Sequence, residues 1–390
     1  MPSQLDAAIP TVISHRFQIK CVFADGGSSA KTLLVTRAGR DQVLKYATWD
    51  GIGSSGIPWL RAQAARLLEL KQALPPDAAL SVPEVFETYD TDDLFLYSMQ
   101  YYPGSHSMSV YYFDRPAEAL VGYADDIVRL LTLMSENLYS AGRLPVPDNY
   151  IEHVHLDKIV YRLSYLTKSS GRFFDTYLAT TTLPETFAAL LDAPSITTNG
   201  QRYVNAPALI DRLRHSSHVA ALTPAFLPLY AHGDGTLRNY LKLPGQRFAL
   251  IDARGTNLPG DAPSRTCISY ELGKVLRTFY LEIVRRNAFQ LTRDHHHHFQ
   301  LTFDNTPAVK AFEEIRRGII EALPRHQALS AVLADEPQWL EKALFAEACH
   351  FLADASNRLE SDPTGQQTLA YYLIGTQMLN DYCKRNGILT

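Results

Sequence analysis

Along the first hundred residues, apolar and polar positions alternate in short runs broken by glycine and proline. CVFADGG (21–27) and AKTLLVTR (30–37) carry β-branched and aromatic residues around a Gly-Gly-Ser-Ser connector, which predicts a hairpin. DQVLKYA (41–47) predicts a third short strand. From 59 to 74 the period lengthens. Leu60, Ala64, Leu67, Leu70 and Leu74 fall on one helical face, and Pro75-Pro76 ends the helix. VPEVFETYD (82–90) and DLFLYSMQYYPG (93–104) predict a second hairpin, closed by Pro103-Gly104.

After Gly104 the pattern changes. Residues 118–138 predict a long amphipathic helix, and helical periodicity continues through about 222. A strand–loop–strand unit occupies 240–255. From 271 to the end the pattern is again helical, with Val309, Phe312, Ile315, Ile319 and Leu323 recurring at three and four. The expected fold is therefore α+β and bilobal. A small antiparallel β-rich N-terminal lobe (1–104) would precede a large helical C-terminal lobe (105–390).

Composition narrows the class. The chain has 390 residues, 37 Lys+Arg against 41 Asp+Glu, a formal net charge of −4, and is 46% hydrophobic. These values exclude a collagen-like fibre, a coiled-coil rod or a disordered tail protein. The near-neutral balance argues against a nucleic-acid partner. The opening residues lack the basic and apolar regions of a signal peptide, and no run of about 18 apolar residues predicts a membrane span. Cys21, Cys267, Cys349 and Cys383 lie far apart without CxxC pairing, as expected of reduced thiols in a cytoplasmic protein.

The chemistry concentrates in LYAHGDGTLRNYLKLPGQRFALIDARG (229–255). His232-Gly233-Asp234 follows an apolar run, Asn239 lies five residues beyond Asp234, and Leu250-Ile251-Asp252 ends a short apolar strand. A single hairpin separates the two acids, so Asp234 and Asp252 can converge at one end of it. Two carboxylates and an amide are oxygen ligands of the kind that suit Mg²⁺, whose shell is completed by phosphate and water.

This H-x-D-x-x-x-x-N pattern followed by an aspartate is that of the kinase catalytic loop and metal-binding Asp. With Gly between His and Asp, and Leu-Ile-Asp for the metal motif, it resembles the aminoglycoside phosphotransferase and choline kinase-like group, especially bacterial members associated with capsule or sugar-precursor genes. The resemblance extends in element order over about 20–290. It implies a protein-kinase-like bilobal fold and transfer of the γ-phosphate of ATP (or GTP), with Mg²⁺, to a hydroxyl of a small molecule, a sugar or sugar-like metabolite being favoured.

Carried over residue by residue, the resemblance makes Asp234 the catalytic aspartate and Asn239 and Asp252 the metal ligands. His232 would brace the loop. Lys45, ending the third strand, would hold the α/β-phosphates. Gly26, Gly27, Ser28 and Ser29 would form the loop over the triphosphate. Gln100 to Tyr102 would offer main-chain groups to adenine, with Met99 lining the purine slot. The chain departs from the group at the helix partner of Lys45, usually a Glu. The helical wheel turns Glu69 to solvent and Gln63 inward, so either a neutral amide or another acid holds Lys45. A kinase-like module that binds nucleotide or a partner without turnover is the alternative, and nucleotidyl transfer is a further one.

Other features are ambiguous. His295–His298 reads as an exposed loop; His153 and His155 can share a strand face, but Tyr/His-rich helical segments are also common, and no zinc site is expected. Arg254, Arg265, Lys274 and Arg277 are either surface charges or part of an acceptor pocket favouring an anionic or hydroxyl-rich substrate. Glu271 is expected to brace the lobe.

Overall fold

The computed structural model describes residues 9–23, 30–49, 56–76, 78–113, 122–169, 187–255, 265–295, 297–358, 362 and 364–389. The N-terminal part is built on strands β1 (Gln18–Val22), β2 (Lys31–Arg37), β3 (Arg40–Thr48), β5 (Val85–Asp90) and β6 (Leu94–Gln100), preceded by helix α1 (Thr11–Arg16). They form one sheet in the order β1-β2-β3-β6-β5, with every neighbour antiparallel. Alternation along the strands gives the sheet two apolar faces. Leu33, Val35, Leu44, Tyr46 and Leu96 pack with Ile13 and Phe17 on one side. Ala47, Phe95, Tyr97 and Met99 pack on the other, against helix α2 (Gly56–Ala73). Lys45 pairs across the sheet with Tyr97, so strand periodicity turns it to the α2 side.

A second sheet spans the junction. Strands β4 (Leu80–Ser81) and β7 (His106–Ser107) flank a hairpin of β12 (Tyr240–Leu243) and β13 (Arg247–Leu250), in the order β4-β13-β12-β7. The predicted hairpin is thus anchored to residues on both sides of Gly104. The core is also continuous there: Leu60 and Leu67 of α2, Tyr97 and Met99 of β6, and Phe248 of β13 share one cluster with helix α3 (Tyr123–Met134) and helix α4 (Ile268–Arg285). Helix α4 is almost wholly buried and packs on helix α5 (Trp339–Asp354), which packs on helix α6 (Gln366–Arg385). The α+β class expected from the sequence, an antiparallel N-terminal sheet followed by a mainly helical part, is the one observed.

One expectation fails in the helical part. Short strands β9 (Ser195–Thr198), β10 (Gln201–Val204), β14 (Phe289–His295) and β15 (His298–Phe303) interrupt it and form a sheet in the order β10-β9-β15-β14. β9 and β10, four residues each, are too short to establish a period; β14 and β15, seven and six residues, form a local hairpin, and the parallel β9–β15 pairing joins residues about a hundred positions apart. The histidine run is accordingly a hairpin tip, where His295 pairs with His298. His153 and His155 lie on a wide helical turn, Glu152–Asp157, not on a strand. Among the described residues no helix is long and apolar enough to cross a membrane.

Candidate active site

The segment 232–239 is held rigidly before any ligand arrives. His232 is fully buried; its Nε2 bonds the Ile251 carbonyl at 2.8 Å and its Nδ1 accepts the Asp234 N–H at 3.2 Å. This pattern requires the neutral tautomer with the proton on Nε2. Burial, the largest influence, pushes its pKa down, which agrees. Gly233 adopts φ +80, and a Cβ there would lie 2.7 Å from the Arg254 carbonyl oxygen, so only glycine fits. The Gly233 N–H donates to Glu271 Oε1 at 2.7 Å, and the Leu237 N–H to Thr278 Oγ1 at 3.2 Å. Glu271 braces the loop from α4, as expected. Burial pushes its carboxyl up to about 7, against the hydrogen bonds from Thr266 and Gly233.

Asn239 and Asp252 meet this loop from the two sides of the hairpin. Asn239 Nδ2 donates to the Asp234 carbonyl at 2.9 Å, which commits the donor end of the amide. The Ile251 N–H donates to the Asn239 carbonyl at 2.9 Å, and the Arg254 N–H to the His232 carbonyl at 2.8 Å. Segments 232–239 and 251–254 are therefore laced together. Asp252 adopts φ +58, a left-handed conformation that costs a non-glycine residue about 1 kcal/mol and persists only where its surroundings fix it.

Helix α2 supplies part of that fixing. A Cβ on Gly255 would lie 2.3 Å from the Ala62 carbonyl oxygen, and Arg66 Nε donates to the Arg254 carbonyl at 3.3 Å.

Lys45 forms an ion pair with Asp252, its side chain 8% exposed. Of the alternatives left open for its partner, the acid is Asp252. Gln63 faces inward but accepts the Tyr97 hydroxyl at 2.8 Å. Glu69 is not turned to solvent, contrary to the helical wheel: it pairs with Arg66 at 2.7 Å and with Arg265, which approaches from beyond the hairpin. A single-helix wheel cannot register a basic partner arriving from a distant segment.

Asp234 is surrounded by cations. Lys274 Nζ lies 3.1 Å from Oδ1 and the Arg254 guanidinium 3.5 Å from Oδ2. Burial raises its pKa, but Lys274, Arg254 and Arg277 outweigh that and hold the carboxyl well below the usual carboxylate range. Asp234 is thus an ionised acceptor of hydrogen bonds at neutral pH. Lys158 was not singled out by sequence: it is buried near Arg254, Lys274 and Asp234 and donates to the Tyr270 hydroxyl at 2.8 Å. Its lysine stands at the head of an ordinary amphipathic helix, Lys158–Ser169, and nothing in that spacing marks it.

At the junction, Met99 is buried within β6. The Gln100 N–H donates to the Glu84 carbonyl at 2.8 Å, and the Tyr102 carbonyl accepts from Ser105. Those two main-chain groups are already engaged. Gly26, Gly27, Ser28 and Ser29 lie outside the described residues. An open depression of about 590 Å³ lies between β1–β3 and Tyr101 and Pro103 and is lined by neither Asp234 nor Asp252.

By sequence the chain matches no protein-family profile and no curated protein. Solved structures similar to it include a glucosamine kinase, at TM-score 0.48 and 16% identity over 91% of this chain and 77% of that one. A thermostable mutant of an aminoglycoside phosphotransferase has TM-score 0.47 and 13% identity, covering 95% of this chain and 96% of that one. A microcompartment-associated aminopropanol kinase has TM-score 0.45 and 12% identity over 97% and 95%.

Proposed function

We propose that this chain is an ATP-dependent phosphotransferase that moves the γ-phosphate to a hydroxyl of a small molecule, a sugar or sugar-like metabolite being favoured, with Gly104 near the boundary between its lobes. The observation that carries the reading is the lacing of Asp234, Asn239 and Asp252 into one rigid hairpin end, with Lys45 brought onto Asp252 from the opposite sheet.

The donor set fits Mg²⁺. Asp252 offers a partly exposed carboxylate, and Asn239 has spent its N–H on the loop, which leaves the amide oxygen for a cation. Asp252 and Asn239 would hold the ion, which supplies charge neutralisation at the phosphates when bound. Lys45 would position the α/β-phosphates. Asp234 would accept a hydrogen bond from the acceptor hydroxyl and aim its oxygen in line. Its depressed pKa suits that role, because a largely metaphosphate-like transition state requires orientation more than a strong base. Met99 and the main chain from Gln100 to Tyr102 would meet the purine, with Gly26, Gly27, Ser28 and Ser29 over the triphosphate.

The test is nucleotide consumption with Mg²⁺ against a panel of hydroxylated metabolites. ADP release that depends on one acceptor is the expected result. Nucleotide binding without turnover would instead favour the silent binding module, and pyrophosphate or protein-linked AMP would indicate nucleotidyl transfer.

A further inference from the structure

Around Asp234 the described residues bring four cationic side chains into one buried neighbourhood. Lys158, Lys274 and Arg277 are each no more than 3% exposed, and Arg254 reaches Asp234 at 3.5 Å. They come from separate segments: the helix beginning at Lys158, the loop after β13, and successive turns of α4. The carboxylates that answer them are Asp234, shared by Lys274 and Arg254, and Asp354, paired with Arg277. Glu271 adjoins the group, but its Oε1 is already taken by the Gly233 N–H and the Thr266 hydroxyl.

Glu271 Oε2 is buried without a hydrogen-bond partner among the described residues, so Glu271 is a third carboxylate beside the group, and the four cations still outnumber the acids. Lys158 has only the Tyr270 hydroxyl for a partner, and Arg277 Nε, fully buried, has none among the described residues. Buried charge without a counter-ion is strongly unfavourable. Consistently, burial and the neighbouring cations push the Lys158 and Lys274 ammonium groups well below their ordinary pKa. One wall also carries an aromatic plate: the Trp59 ring lies 4.7 Å below the Arg162 guanidinium and 6.0 Å from that of Arg254. Arg265, grouped with these residues by sequence, goes instead to Glu69 and takes no part.

Resting on the phosphotransferase reading, we infer that the acceptor is itself a dianion: a hydroxyl compound already bearing a phosphate monoester, which Lys158, Lys274, Arg254 and Arg277 receive beside Asp234. An excess of positive charge calls for an anion, and guanidinium groups suit phosphate oxygens in their forked geometry. Of the basic residues near the hairpin, Lys45 pairs with Asp252, Lys274 and Arg254 pair with Asp234, and Lys158 and Arg277 lie beside them, so nucleotide and acceptor would draw on separate charges. An amine-bearing acceptor would add positive charge to a neighbourhood that already has too much.

The test uses the full chain with AMP-PNP and Mg²⁺ at saturation, so that the nucleotide side is filled. Calorimetry then measures binding of inorganic phosphate, glucose 6-phosphate, glucose and glucosamine. Inorganic phosphate is expected to bind, and glucose 6-phosphate to bind about tenfold or more tighter than glucose or glucosamine, the equivalent of one charge-assisted hydrogen bond. Added salt is expected to weaken both phosphate compounds. Lys158→Gln should reduce phosphate binding about tenfold and leave AMP-PNP affinity unchanged, while Lys158→Arg retains it. Absence of phosphate binding, or glucosamine binding as tightly as glucose 6-phosphate, overturns the inference. So does a loss in Lys158→Gln confined to the nucleotide, which would assign these cations to the transferred phosphate. Should Lys158→Gln fail to fold, the wild-type ranking of ligands decides alone. Phosphate binding that depends on Lys158, with no ADP release on any acceptor, would sink the phosphotransferase reading and leave the anion site standing.

Discussion

The ammonium of Lys45 meets the carboxylate of Asp252, 207 positions further along the chain. The pair joins the five-stranded sheet to the hairpin. When nucleotide and metal enter, Asp252 would turn to the cation and Lys45 to the phosphates, each exchanging one opposite charge for another. Lys45→Met is therefore expected to lower kcat/KM for the nucleotide by about 10²–10³, as for loss of one preorganised donor. Asp252→Asn is expected to abolish the Mg²⁺-dependent part of nucleotide affinity. Titration of ATP with and without Mg²⁺ checks both; wild-type metal dependence in Asp252→Asn would remove that residue from the site.

Asp234→Asn should cut phosphoryl transfer by about 10²–10⁴ while nucleotide affinity stays nearly unchanged. The same change removes the carboxylate shared by Lys274 and Arg254, so a lower unfolding temperature is also expected. Single-turnover ADP formation and nucleotide calorimetry on one preparation separate the two effects. Full transfer in the variant would refute the assignment.

Gly255→Ala should destabilise the protein by about 1–3 kcal/mol, the range for overpacking, because its Cβ would lie 2.3 Å from the Ala62 carbonyl oxygen. The strain falls on the loop that carries Asp252, so turnover should fall as well. Gly245→Ala is the control. It has positive φ but open space around the new methyl, so it should cost only about 1 kcal/mol and leave turnover intact. Urea denaturation of both variants measures the contrast.

Glu271 makes stability depend on pH in an identifiable direction. Its folded-state carboxyl is pushed from 4.5 up to about 7 by burial. Between these values the folded protein keeps a proton that the unfolded chain releases, so this residue's contribution falls as pH rises and levels off above 7. The full effect is about 3 kcal/mol. Buried His155 and His232, with pKa values pushed down by burial, tilt the same window the other way. The difference between wild type and Glu271→Gln isolates the carboxyl: the advantage of wild type should shrink from pH 4.5 to 7. A pH-independent difference would show that Glu271 is ionised throughout.

The core face of α2 was readable because Leu60, Ala64, Leu67 and Leu70 repeat with the helical period and are all buried. The same wheel misplaced Glu69, because its partner Arg265 comes from a segment the helix cannot announce. The strands at 195–204 and 289–303 escaped for two reasons: the first are only four residues each, and the two local hairpins become one sheet only through the distant β9–β15 pairing.

What the sequence determined by itself was local: where chain direction changes, which helix face is apolar, and which loop carries His232, Asp234, Asn239 and Asp252 at fixed spacing. Such properties depend on neighbours a few residues apart. Only the tertiary structure decided that Lys45 answers to Asp252 and not to α2, and that Lys158, from a segment with no distinguishing pattern, joins Lys274, Arg254 and Arg277 around Asp234. Charge pairing in a buried site is set by distance in space. A linear pattern of residues does not encode that distance until the chain has folded.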